Sequence, residues 1–314
     1  MPAGPEMQAH CVWDARCQLG EGPVWHHGRL YFVDIHGRAV HAHEPATGLR
    51  QRWLLPRRIA WLMPDLAGEG FIAGLEDEVV RLQLEPTLRI QPWLRPPLPT
   101  GVRLNDAKRD RWGRIWAGSM HETEPALAQG ALACLEPDGR WRVAQADYGI
   151  ANGPTFSPDG RTLYHADSAR AEVHAYRLDA QGRLGPPQLW RRFEQDTEGV
   201  PDGMCTDSEG ALWIAQWGGY GLGRYAPDGR LLARIRLPVS QVSSCCFGGP
   251  DRRQLYITTA RVGLSAAELA REPLAGALFV AELPVPGLGP DATLGSSPMQ
   301  ASAEAGHATM PPCM

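Results

Sequence analysis

An apolar–aromatic doublet recurs along this chain and limits what it can fold into more than any other feature. It stands at Leu30-Tyr31, Gly70-Phe71, Ile115-Trp116, Leu163-Tyr164, Leu212-Trp213 and Leu255-Tyr256, so successive aromatic positions lie 40, 45, 48, 49 and 43 residues apart. The same grammar surrounds several of them. A strand-like run is followed by a tight turn with glycine, then a second run opening on the doublet, as in Thr206-Asp207-Ser208-Glu209-Gly210-Ala211-Leu212-Trp213. A period in the forties with several short strands per unit is that of a β-propeller, with one blade per repeat. Six doublets predict six blades. A further strand-like run, residues 11–16, precedes the first repeat and would be spare unless it paired with the last such run, 276–281. That pairing would close the ring and remove an open edge. The expected fold is all-β: a six-bladed β-propeller over residues 11–283, closed by pairing of the N-terminal strand with the last blade. A loose Pro/Gly/Ala-rich tail, 284–314, is expected to follow it.

A propeller is one core built by radial repetition, so 314 residues need no second domain. A formal net charge of −4 offers no basic footprint for nucleic acid. The seven cysteines, an odd number, fit reduced thiols better than a disulfide framework. Residues 1–6 lack the basic and apolar regions of a signal peptide, and no apolar run approaches the roughly 20 residues of a membrane helix. The expectation is a cytoplasmic protein, monomeric or weakly oligomeric, with a small-molecule partner and no nucleic-acid or membrane partner.

The repeat separates ordinary turns from unusual ones. Pro-Asp-Gly is a common turn tripeptide, and Pro158-Asp159-Gly160 falls just ahead of a doublet, where a hairpin turn belongs. Asp202 is different, standing 11 residues ahead of Trp213 at the entry to a blade's first strand. Equivalent counts reach Glu21, 10 before Tyr31; Asn105, 11 before Trp116; and Asn152, 12 before Tyr164. Innermost strands line the central channel, so these positions converge on one of its mouths. Singly, such residues most often cap turns; at one phase of a repeat they point to a shared site. Two carboxylates buried together repel unless protonated or neutralised, and a divalent cation neutralises both. Oxygen ligands alone suit Ca²⁺, Mg²⁺ or Mn²⁺, and three protein ligands leave room for water or substrate.

These segments carry a resemblance. Gly20-Glu21-Gly22-Pro23-Val24-Trp25, Arg103-Leu104-Asn105-Asp106 with Gly113-Arg114-Ile115-Trp116-Ala117-Gly118-Ser119-Met120, Asn152-Gly153-Pro154 and Pro201-Asp202-Gly203 resemble the gluconolactonase/senescence marker protein (regucalcin-like) family across about residues 11–283. The resemblance implies a six-bladed propeller that hydrolyses sugar lactones such as glucono-, xylono- or arabinonolactone. It implies one divalent cation held by Glu21, Asn152 and Asp202, with Fe²⁺ or Zn²⁺ also open. Substrate contacts fall on Arg103 and Asn105, and the acid/base on Asp202. A family Glu after the third blade's second strand counts to Thr123, between Glu122 and Glu124, and Glu122 is taken as the match.

Lactone hydrolysis needs a polarised carbonyl, a placed water and a stabilised oxyanion. Either Asp202 takes the water's proton or the cation activates that water; the residues leave both open. Asp106 is expected to orient Arg103, and Trp61 and Trp217 to wall the sugar. Blade two is apolar at its entry and carries no evident ligand. Residues 92–99, with four prolines, read as an irregular connection, 120–130 as a candidate lid, and 264–271 as one or two helical turns. His41 and His43 are expected to be exposed on an outer strand, and Cys205, Cys245 and Cys246 to be buried small residues. The competing functions are a calcium-binding or scaffold propeller without catalysis, and a metal-dependent esterase or organophosphate hydrolase.

Overall fold

The computed structural model describes residues 6–288. Its strands form six sheets arranged as blades around a central channel. Blade 1 runs outward as Gly20–His26, Arg29–Asp34, Ala39–Glu44 and Leu49–Leu54, all antiparallel, and blades 2 to 4 repeat that order. The innermost strands of the other blades are Ile59–Pro64, Val102–Arg109, Ala151–Phe156, Val200–Thr206 and Val242–Gly248. Each doublet aromatic lies on its blade's second strand and is buried. The N-terminal segment closes the ring as expected: His10–Trp13 pairs with Leu278–Glu282 as the outer strand of blade 6, with Cys11 opposite Phe279. The chain also does more there. Glu6–Gln8 adds a parallel fifth strand to blade 5, beside Leu231–Arg236, so one short segment ties two blades.

The core sits between blades rather than within them. Each of the six blade-to-blade interfaces has its own buried apolar cluster, including the one between blades 6 and 1 formed by Leu30, Phe32, Cys246, Tyr256 and Leu278. A blade buries both faces only when flanked on both sides, which is why the closing strand matters. The turn acids explain the repeat's grammar. Asp207 accepts from the amides of Glu209 and Ala211, from Trp213 Nε1 and from Arg224 Nε, while Asp110 does the same for Trp112, Arg114 and Trp116. One buried carboxylate thus ties the hairpin turn to the marker tryptophan.

Three expectations are corrected. Arg89–Leu94 is the outer strand of blade 2, so Pro92 lies within a strand; an edge position tolerates its missing N–H. His41 and His43 are buried, because Leu49–Leu54 covers the edge of their strand and the neighbouring blade covers its face. His41 stacks on Phe32 and meets Trp13 edge-on. Trp61 does not wall a sugar pocket: its indole lies over Gly74, where no side chain would fit, in the packing between blades 2 and 3. Trp217 is partly exposed, opposite Val200. The insertion at 264–271 contains the helix Ala266–Arg271, with a Ser265–Glu268 capping box. The tail from 289 onward lies outside the described residues.

Candidate active site

Every innermost strand breaks its pairing register near its start, and most of the polar residues singled out by the repeat sit at those breaks. Asn105 and Asp106 fall between the pairs at Leu104 and Ala107, and Asp202 between those at Pro201 and Met204. Glu21 and Asn152 are the last paired residues before theirs. A bulge re-aims side chains, and here it turns them into the channel. Gly22 and Gly153 make two of these bulges with φ of +51° and +49°; a Cβ on Gly153 would also stand 2.3 Å from the Asp202 carbonyl oxygen.

The structure brings the predicted residues together. Glu21, Asn152 and Asp202 are each buried, and the Glu21 and Asp202 carboxyl groups meet side chain to side chain. Burial first, then Asp202 and Asp106, hold the Glu21 carboxyl well above its ordinary range. Burial first, then Asp106, do the same to Asp202. Asp202 Oδ1 is buried without a hydrogen-bond partner. A string of bonds runs through the site. Arg103 Nη1 donates to Asn105 Oδ1 at 2.8 Å, and Asn105 Nδ2 donates to Asn152 Oδ1 at 2.8 Å. Asn152 Nδ2 donates to Ser168 Oγ at 3.1 Å, and that hydroxyl donates to the Pro201 carbonyl at 2.6 Å. Asn152 is therefore oriented with its carbonyl oxygen toward Asn105.

At the rim, Glu122 forms ion pairs with Arg103 at 2.9 Å and Arg58 at 2.7 Å, while its neighbours Thr123 and Glu124 are exposed. Burial would raise the Glu122 pKa, but the two guanidiniums together keep it below the usual value. His36 stands in the same field, its pKa lowered by burial and by Arg103 and Arg58. Asp106 does not orient Arg103. Its oxygens accept from the amides of Ala107 at 2.7 Å and Gly153 at 3.1 Å, because the bulge turns it away from the rim.

The repeat pattern did not single out Arg58, His36 or Ser168. Arg58 immediately precedes blade 2's inner strand, close to the phase of the other entry residues, so the signal was there. His36 and Ser168 follow second strands and carry no such mark. Elsewhere, Cys17, Asp34 and His41 lie within 4.8 Å of one another. The Asp34 oxygens are already taken by the amides of Gln18, Leu19 and Gly37, which makes that group a turn lock.

A family model described as SMP-30/Gluconolactonase/LRE-like region matches residues 19–261. The chain belongs to this family. Within it, the chain is 36% identical over 279 residues to a 6-deoxy-6-sulfogluconolactonase of Pseudomonas putida, covering 88% of this chain and 95% of that one. It is 35% identical over 293 residues to regucalcin of Oryctolagus cuniculus, covering 90% and 97%. A solved structure of a calcium-binding protein, regucalcin, from Agrobacterium tumefaciens superposes with a TM-score of 0.83 at 26% identity, covering 91% and 97%. The SMP-30/gluconolactonase family and these relatives support a lactone hydrolase.

The donor set fits a hard cation on this structure's own terms. Glu21 and Asp202 are buried carboxyls that destabilise each other when both are charged, Asp202 Oδ1 has no partner, and Asn152 presents an amide oxygen.

Proposed function

We propose that this chain hydrolyses a sugar aldonolactone to its aldonic acid, with one divalent cation held by Glu21, Asn152 and Asp202. The observation that carries the reading is the buried meeting of Glu21 and Asp202, with Asp202 Oδ1 unpartnered, beside the Arg103–Asn105–Asn152 string. When bound, such a cation supplies Lewis acidity to the lactone carbonyl and counter-charge to the developing oxyanion. The protein's own groups do the rest. Asp202 accepts a proton from the attacking water through its second carboxylate oxygen and returns it to the ring oxygen as the bond between that oxygen and the acyl carbon breaks. Arg103 donates to the sugar's hydroxyl oxygens, and Glu122, held charged by Arg103 and Arg58, accepts from its hydroxyl groups. Asn105 fixes Arg103 on one side and Asn152 on the other, so substrate binding and ligand orientation share one rigid string.

The test is hydrolysis of an aldonolactone panel, corrected for spontaneous opening. It includes glucono-, xylono- and arabinonolactone, and 6-deoxy-6-sulfogluconolactone because of the Pseudomonas putida relative's name. Activity on at least one member, abolished by chelator and restored by a divalent ion, is expected. Turnover that survives complete metal removal overturns the metal-dependent reading. No turnover across the panel, with the ion bound, favours the non-catalytic calcium-binding propeller.

A further inference from the structure

Of the chain's 31 Lys and Arg residues, one is lysine, and it faces the channel. Lys108 lies on the innermost strand of blade 3, at the end away from Arg103. All six innermost strands contribute to the wall of a cavity of about 200 Å³ there, which none of Glu21, Asn152 and Asp202 lines. We propose that this far end of the channel binds a compact oxyanion, a phosphate or a carboxylate, on Lys108 and Arg109. The site is separate from that of the proposed function and does not depend on it.

The polar part of the wall offers donors and few acceptors. Among the described residues Lys108 Nζ has no hydrogen-bond or ion-pair partner, so its three N–H donors are unspent. Arg109 donates Nη1 to the Pro64 carbonyl at 2.5 Å, and its Nε is buried without a partner. Thr155 and Thr206 bond hydroxyl to hydroxyl at 3.0 Å, which spends one proton and leaves the other to donate. Among the described residues of the wall the one carboxylate, Asp106, is taken, since its oxygens accept from the amides of Ala107 and Gly153. The thiols beside it are neutral: burial pushes Cys246 up to about 12 and raises Cys205 as well. Asp65 and Asp110, whose charges reach Arg109, do not line the cavity and pair with Arg81 and Arg114. Arg252, on the same wall, adds a positive charge while its Nη1 donates to the Leu288 carbonyl at 2.7 Å. Such a wall repels a cation, and a neutral polyol brings donors of its own. An oxyanion brings only acceptors together with the missing charge. An ammonium held inside the protein without a partner is costly, and a bound anion offsets that cost. The cavity is smaller than the about 300–1,000 Å³ of sites for drug-sized ligands, so its occupant is compact.

The test uses full-length protein carrying ¹⁵N at the lysine Nζ, which in this chain gives one signal, with inorganic phosphate and acetate as probes. At least one probe is expected to shift that signal saturably, and the tighter of the two assigns the occupant to the phosphates or to the carboxylates. Arg109→Gln is expected to weaken the tighter probe by about tenfold to a hundredfold, the share of one hydrogen bond to a charged group. Lys108→Met is expected to lose the rise in melting temperature that this probe gives the wild type. A signal that neither probe moves saturably means that the cavity holds water alone, and overturns the proposal. An Arg109→Gln affinity within about twofold of wild type, or a Lys108→Met protein that keeps the rise, places the anion elsewhere and overturns it too. The wild-type titration needs no substitution, so it decides the matter even if a variant fails to fold.

Discussion

Replacing Asp202 by asparagine removes one negative charge and one oxygen and little else. Its Oδ1 has no protein partner, so no hydrogen bond of that atom to the protein is lost there. Two effects follow. A unit charge about 4 Å from a cation at an effective dielectric near 20 is worth about 4 kcal/mol per unit of ion charge, much of it returned because a neutral amide is cheaper to bury. Metal affinity should therefore fall by on the order of 10²–10³. Loss of the proton acceptor costs a further 10²–10⁴ in kcat, which added metal does not restore. Stability should move the other way. Metal-free Asp202→Asn relieves the repulsion among Glu21, Asp106 and Asp202 and should melt at a higher temperature than metal-free wild type. The assays are lactone hydrolysis across a metal titration, and calorimetric melting of the stripped proteins. If saturating metal returns kcat to wild type, Asp202 is a ligand only. If the stripped variant melts lower, the carboxyl cluster is not under the mutual strain inferred here.

Three further outcomes are expected. Glu21 and Asp202 both have folded-state pKa values raised above their unfolded ones, so their contribution is intact below about pH 4 and is lost as pH rises through the folded values; the metal-free protein should lose stability over that window and the metal-loaded protein should not, as followed by denaturant melts at stepped pH. Arg103→Ala should raise KM by about tenfold or more with a smaller change in kcat, since the guanidinium binds substrate and braces Asn105; steady-state kinetics showing an unchanged KM would remove it from the pocket. Asp207→Asn should cost about 2–4 kcal/mol in urea denaturation without altering metal affinity, because the carboxylate satisfies two turn amides, Trp213 and Arg224 far from the cradle.

Blade number, ring closure and the entry residues were legible in the chain alone because each depends on local chemistry. Turn glycines, turn acids and a doublet aromatic repeat with the strand grammar, and equivalent positions in a closed ring must converge. Glu21, Asn105, Asn152 and Asp202 could be named from phase, without a coordinate. What only the tertiary structure decided is which neighbour each side chain faces. The bulge between Leu104 and Ala107 sends Arg103 to the rim beside Glu122 and turns Asp106 to the Gly153 amide, a choice invisible in four consecutive letters. His41 is buried because a strand from the far N-terminus brings Trp13 against it, a contact set by ring closure rather than by its own strand. Arg58 and Ser168 join the site for the same reason: blades distant in sequence are adjacent at the axis. Local propensity sets the strands, whereas register shifts and the closed ring set the contacts between them.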